Sequence, residues 1–110
     1  MANIVDLVKK ELDPTDHVQH QYRALYNRKE GFIVLTNNRL TFWEQGGFFR
    51  PSYRMTLDIP YEKINAVTTT ASHALDIGVE AETYHFTSLG DINAQVIAEE
   101  ITALSGPHQG

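Results

Sequence analysis

Two apolar runs separated by a pair of asparagines constrain this chain more than any other part of its sequence. The runs occupy residues 30–36 and 39–43, with Asn37 and Asn38 between them. Asn tolerates the positive φ values that both central residues of a type I′ turn require. The segment therefore predicts a tight antiparallel β-hairpin with a two-residue loop.

Both faces of this predicted hairpin are apolar. Side chains alternate between the faces of a strand. One face therefore carries Ile33, Leu35, Leu40 and Phe42, and the other carries Phe32, Val34, Thr41 and Trp43. The first face can form the core of a small domain. The second face calls for a cover, a partner or a ligand, because an exposed Trp43 would forgo about 1.5–3 kcal/mol of burial free energy.

Size and composition limit the chain to one domain with restricted chemistry. Its 110 residues can bury one core but not divide it. The absence of Cys excludes disulfides, thiolate catalysis and Cys-based zinc sites. No apolar run approaches the roughly 20 residues needed to span a bilayer, and charges interrupt the first twelve residues where a signal peptide needs an apolar core. We expect a cytoplasmic protein without a metal or a cofactor.

The net charge of −5 is unevenly distributed. Residues 1–55 carry eight Lys and Arg against six Asp and Glu, a balance of +2, whereas residues 56–110 carry one Lys against eight acidic residues, a balance of −7. An acidic half of this kind repels phosphates, so nucleic acid is not expected as a partner. The polarity is either an ordinary solvated surface or a feature that suits head-to-tail association.

Helical patterns are predicted at the two ends of the chain. The N-terminal one, within residues 1–13, is amphipathic, with an apolar stripe at Ile4, Leu7, Val8 and Leu12. The C-terminal one carries a main stripe at Ala94, Ile97, Ala98, Ile101 and Leu104, and a second stripe at Ile92, Val96 and Ala103. Further strands are predicted at 17–26, 53–59, 64–70, 73–79 and 82–87. The tail at 106–110 is predicted to be disordered.

Three segments of the sequence resemble one superfamily. They are Glu30-Gly31-x-x-x-Leu35-Thr36-Asn37-Asn38-Arg39-Leu40-x-Phe42, then Ile59-Pro60-Tyr61-x-x-Ile64, and then the helix with Ala94, Ile97, Ala98 and Ile101. This pattern is similar to that of bacterial PH-like and GRAM-type domains over residues 17–105. The resemblance implies a mainly β fold, a PH-like barrel of about seven antiparallel strands with a C-terminal capping helix. The short N-terminal helix would be an addition to that pattern.

Protein association is the function that the surplus of apolar surface favours. Domains that this chain resembles commonly form symmetric homo-oligomers, which implies a non-enzymatic interaction module whose partner is itself or another protein. The predicted interface comprises Phe32, Val34, Trp43, Ile4, Leu7, Val8, Ile92 and Val96. In the alternative arrangement, the N-terminal helix covers the Trp43 face of its own chain. The sequence leaves both arrangements open.

Peripheral binding to anionic phospholipid is an alternative function. Many PH domains bind inositol phosphates through basic residues after the first strand, and two loops here carry basic and aromatic side chains. The candidate ligand or membrane residues are Arg28, Lys29, Phe48, Phe49, Arg50 and Arg54. The Lys-x-Arg spacing of strong phosphoinositide binders is missing, and Glu30 and Glu44 lie nearby. Alternatively, the two phenylalanines fold back and cap the barrel.

Catalysis is the weakest alternative. The sequence contains no nucleophile motif and no phosphate-binding loop. His17 and His20 are three residues apart on a predicted strand, so they point to opposite faces and cannot share a metal ion. Asp76 should lie across from His85 if the last hairpin has a two-residue loop, and a small enzyme would have to use that pair.

Overall fold

Seven antiparallel strands and one C-terminal helix make up the described part of the chain. A computed structural model describes residues 12, 14–46, 52–87 and 93–105. The strands are β1 (Val18–Tyr26), β2 (Lys29–Thr36), β3 (Arg39–Gly46), β4 (Ser52–Pro60), β5 (Ile64–Ala71), β6 (Ala74–Val79) and β7 (Glu82–Thr87). A 3₁₀ turn, Tyr61–Lys63, joins β4 to β5, and helix α1 (Ala94–Ser105) follows β7.

The strands form one sheet in the order β4-β3-β2-β1-β7-β6-β5. Strand β1 joins the two halves, but it meets β7 only through the pairs Leu25–Thr87 and Tyr26–Phe86. Within the described residues β4 and β5 do not pair, so the predicted barrel is not closed. Helix α1 packs against β5, β6 and the 3₁₀ turn instead. In a closed barrel the two edge strands, β4 and β5, would pair. Here α1 lies beside β5.

The predicted register of the central hairpin is confirmed. Strands β2 and β3 pair Phe32 with Trp43, Ile33 with Phe42, Val34 with Thr41, and Leu35 with Leu40. The predicted turn geometry is wrong, because Asn37 and Asn38 are not among the residues with positive φ. A two-residue turn with that geometry lies between β1 and β2, where the φ values of Asn27 and Arg28 are 56° and 66°.

The main core lies between the sheet and α1. The predicted inner face of the hairpin is confirmed, since all four of its side chains are fully buried. The other members with no exposed surface come from β6, β7 and α1: Leu75, Ile77, Phe86, Ala94, Ile97 and Ile101. Gly31 lets β2 and β3 approach closely, because a Cβ atom there would lie 2.1 Å from the carbonyl oxygen of Trp43.

Several predictions fall outside the described residues. They include most of the N-terminal helix with Ile4, Leu7 and Val8, the residues Phe48, Phe49, Arg50 and Ile92, and the tail at 106–110. Leu12 is described and is partly buried. No helix in the described ranges is long and apolar enough to cross a membrane.

Candidate functional site

The two asparagines of the central hairpin bind the segment that precedes β1. The Asn37 side-chain oxygen accepts a hydrogen bond from the His17 amide at 2.6 Å, and its nitrogen donates to the Thr15 carbonyl at 3.2 Å. The Asn38 side-chain nitrogen donates to Asp16 Oδ1 at 2.9 Å. These contacts explain two consecutive asparagines without a left-handed turn, because their side chains anchor a distant part of the backbone.

Asp16 and Arg39 form a largely buried ion pair beside this turn. Arg39 Nη2 lies 2.7 Å from Asp16 Oδ2, and the Asp16 side chain is only 2% exposed. Arg39 Nη1 also lies 2.6 Å from the more exposed Asp58. Burial acts to raise the pKa of Asp16, but hydrogen bonds from Asn38 and Arg39 and the charge of Arg39 outweigh it and hold the pKa below its usual value.

The Tyr61 hydroxyl also binds the turn between β2 and β3. It donates to the Thr36 carbonyl at 2.6 Å, and the Tyr61 side chain is buried in the main core. Burial, followed by the negative charge of Asp16, raises the pKa of Tyr61 well above its usual value. The tyrosine is therefore a neutral donor at physiological pH. The network holds the segment before β1 against the turn between β2 and β3.

The outer face of the hairpin is covered within a single chain. Val34 is fully buried and Trp43 is 1% exposed, and partly buried side chains pack against them: Leu12, Val18, Phe32, Tyr53 and Met55. The Trp43 indole nitrogen donates to Thr41 Oγ1 at 2.8 Å, so its polar atom is also satisfied. Two of the predicted interface residues are thus inaccessible to a partner in this arrangement.

The predicted ligand residues in the described ranges are Arg28 and Lys29, at the β1–β2 turn, and Arg54 on β4. Lys29 and Arg54 lie near one another, and both face Glu44, at 3.8 Å and 4.0 Å. Arg28 directly precedes Lys29 in the chain and lines a cleft of about 410 Å³ between the β1–β2 turn and β7. Among these described residues, Glu44 offsets part of the positive charge of Lys29 and Arg54.

Asp76 and His85 lie opposite one another in the β6–β7 register, as predicted. The Asp76 carboxylate contacts His85 Nδ1, and the His85 side chain is 55% exposed. His85 lines the same cleft as Arg28, together with Thr83 and Thr87. Within the described ranges His85 makes no hydrogen bond to the hydroxyl of Thr83 or Thr87, so the geometry gives a catalytic role no direct support.

A second and larger concavity lies between β5 and α1. This groove encloses about 690 Å³ and is lined by Val67, Thr68, Thr69, Gln95, Ala98, Glu99, Thr102 and Ala103. The Ala94 amide donates to the Ser72 carbonyl at 2.7 Å, just after β5 ends. Helix α1 also packs against the 3₁₀ turn that precedes β5. The helix therefore runs alongside β5 in the opposite direction, and the groove follows both elements.

Strand β5 is an edge of the sheet and carries no charged side chain. Among the described strands it pairs only with β6. That pairing is irregular at its two ends but regular over residues 66–69, which adjoin the groove. The opposite edge, β4, carries Arg54, Asp58 and Pro60. Charged residues, proline, bulges and a covering helix are devices that prevent an edge strand from pairing with another chain. Strand β5 lacks the first two, but its pairing is irregular at both ends and α1 packs beside it.

Helix α1 supplies an exposed apolar rim to the groove. Val96 is 45% exposed, the highest value among large hydrophobic side chains in the described ranges. Ala103 lies seven residues later, on the same side of the helix, and lines the groove. The second stripe predicted from the sequence is thus partly located, and it adjoins the groove rather than the outer face of the hairpin. The groove itself was not predicted from the sequence, although one residue of the predicted second stripe, Ala103, lines it.

An open seven-stranded antiparallel sheet capped by one C-terminal helix defines a PH-like domain. The family model described as Bacterial PH domain matches residues 12–103, and the chain therefore belongs to that family. The C-terminal domain of an unknown protein from Leishmania infantum has a similar structure, with a TM-score of 0.71. The alignment covers 93% of this chain and 98% of that chain at 14% sequence identity, so it shows the fold alone. No curated protein matches the sequence.

Proposed function

We propose that this bacterial PH domain is a non-enzymatic interaction module that binds an extended segment of a partner protein in the β5–α1 groove. The segment would pair with the outer edge of β5 and place alternate side chains against α1. The observation that supports this proposal most is an uncharged edge strand bordering a groove of about 690 Å³.

The contrast between the two edges of the sheet strengthens the proposal. An unpaired edge presents a row of amide and carbonyl groups that can pair with another chain. Strand β4 carries two charged residues and ends in proline, whereas the eight residues of β5 include neither. Strand β5 lacks charges and is bordered by α1, so an incoming segment would have to fit between this edge and the helix.

Association through the outer face of the hairpin has less support. Val34 and Trp43 are already buried within one chain, so a partner would have to displace their cover. The exposed part of the predicted interface lies on α1, at Val96. That residue borders the groove and is compatible with association through it.

The membrane and enzyme alternatives also have less support from the geometry. Lys29 and Arg54 share one carboxylate, that of Glu44, which offsets part of their charge. A lipid headgroup would therefore have to compete with Glu44 for these two side chains. The Asp76–His85 pair is solvated and lacks an activated nucleophile beside it.

A phage-displayed library of random nonapeptides, selected on the intact chain, tests the proposal. We expect the selected peptides to slow amide hydrogen exchange along β5, because new backbone hydrogen bonds protect those amides. Exchange along β4 should not change. Peptides that protect no amide of β5 would contradict the proposal.

A blocked variant supplies the matched comparison for the same peptides. Ala103→Trp places an indole in the groove at an exposed helix position, so the fold should persist. We expect this variant to bind the peptides at least about tenfold more weakly. Thr83→Trp places the same side chain beside the other cleft and should bind like wild type. Equal binding by all three proteins would exclude the groove as the site.

A further inference from the structure

We infer that the segment bound in the β5–α1 groove is basic and places a Lys or Arg side chain against Glu99. This inference rests on the proposed function and adds the chemistry of the partner. Glu99 is the one charged residue among the lining residues of the groove. The other lining side chains are small, apolar, or carry hydroxyl or amide groups.

The Glu99 carboxylate has capacity for another donor. Gln95 Nε2 donates to Glu99 Oε2 at 3.2 Å, which leaves further acceptor positions on the two oxygens. The neighbouring acid, Glu100, is absent from the lining of the groove and contacts His20 Nε2 at 2.7 Å. A cation brought by the partner would therefore meet Glu99 first.

The acidic composition of the C-terminal part of the sequence favours the same sign of partner, although Lys63 lies in the 3₁₀ turn against which α1 packs. From Ile64 to the C-terminus the sequence contains six acidic residues and no Lys or Arg. Both elements that border the groove belong to this stretch. A field of one sign attracts segments of the opposite charge and raises their association rate.

The spacing of α1 residues matches that of an extended segment. Gln95, Glu99 and Ala103 are four residues apart, which separates them by about 6 Å along the helix. Alternate residues of a strand are separated by about 6.6 Å. Because α1 runs alongside β5, successive inward side chains of the segment would meet these three residues in turn. A small apolar side chain suits Ala103, and a Lys or Arg suits Glu99.

The same charges disfavour a second copy paired through the same edge. A twofold arrangement of two β5 strands would bring two acidic grooves together. Like charges placed across an interface oppose association. A basic segment of another protein avoids this repulsion.

A charge-swap selection tests the inference. Random nonapeptides displayed on phage are selected in parallel on wild type, on Glu99→Lys and on Glu30→Lys. The last variant makes the same change in net charge at an exposed position of β2, away from the groove. We expect one inward position to be enriched in Lys or Arg on wild type and on Glu30→Lys, and in Asp or Glu on Glu99→Lys.

Affinities of individual peptides give the magnitude. Replacing the enriched Lys by Gln should weaken binding to wild type about two- to fivefold at low ionic strength, and less in high salt. Peptides that protect β5 but show no charge preference would overturn the basic partner and leave the groove function standing. If selection yields no peptide sensitive to Ala103→Trp, the groove function itself fails.

Discussion

Replacing Arg39 by Met should destabilise the domain strongly, because it leaves the Asp16 carboxylate buried without its cation. The Asp16 side chain is 2% exposed, and both Arg39 Nε and Nη2 donate to its Oδ2 atom. Breaking a buried pair by removing one partner costs about 3–5 kcal/mol. A small domain has a total stability of about 5–15 kcal/mol. The change should therefore lower the melting temperature by more than about 10 °C.

Urea denaturation followed by fluorescence measures this loss directly. Trp43 is the single tryptophan of the chain and is 1% exposed, so its emission should shift to longer wavelength on unfolding. Asp58→Asn is the matched control, since it removes the more exposed partner of Arg39 and should cost about 0–1 kcal/mol. If Arg39→Met and Asp58→Asn cost the same, the Asp16 carboxylate is solvated and the reasoning is refuted.

The pH dependence of stability provides a second readout for the same pair. Burial acts to raise the pKa of Asp16 in the folded protein, but hydrogen bonds from Asn38 and Arg39 and the charge of Arg39 hold that pKa below its usual value. Its stabilising contribution is therefore complete above the unfolded-state pKa and is lost as the pH falls through the folded-state pKa. Wild type should lose stability more steeply below about pH 4 than Asp16→Asn does. Parallel acid profiles for the two proteins would contradict the assignment.

Three further predictions concern backbone and packing. Gly31→Ala should lower the free energy of unfolding, measured in urea, by more than about 2 kcal/mol, because its Cβ atom would lie 2.1 Å from the carbonyl oxygen of Trp43. Gly46→Ala is the control and should be nearly neutral, because the nearest atom to its Cβ would lie 3.6 Å away. Arg28→Gly should stabilise the domain by about 1 kcal/mol, since the φ of Arg28 is 66°, and Arg28→Ala should show no gain. Acrylamide should quench Trp43 fluorescence weakly in the folded protein; quenching as strong as that of free tryptophan would mean that the outer face is open in solution.

Local alternation was sufficient to predict the central hairpin. A one-residue slip would move Leu35 and Leu40 from the core to the other face, so the apolar pattern specifies the register. The turn could not be predicted in the same way. Asn37 and Asn38 bond to residues 15–17, which lie about 20 positions earlier in the chain. A pattern read within the hairpin contains no information about those partners.

The open sheet and the groove also depend on contacts between residues that are distant in the sequence, so local patterns do not predict them. Counting strands predicts about seven, but it does not say whether β4 meets β5 or a helix lies beside β5. The exposed stripe at Val96 and Ala103 was visible from helical spacing. The surface that this stripe borders depends on which strand α1 packs against, and the packing of the core decides that.

The burial of Trp43 changes where a partner is to be expected. The sequence places surplus apolar surface on the hairpin, but that face is closed by side chains of the same chain, including Leu12. The hydrogen bonds from Asn37 and Asn38 hold the segment just after Leu12 against the turn. Apolar surface that is already buried within one chain gains no further burial free energy from a partner. The outer edge of β5 pairs with no other described strand, and the proposed partner segment is placed there instead.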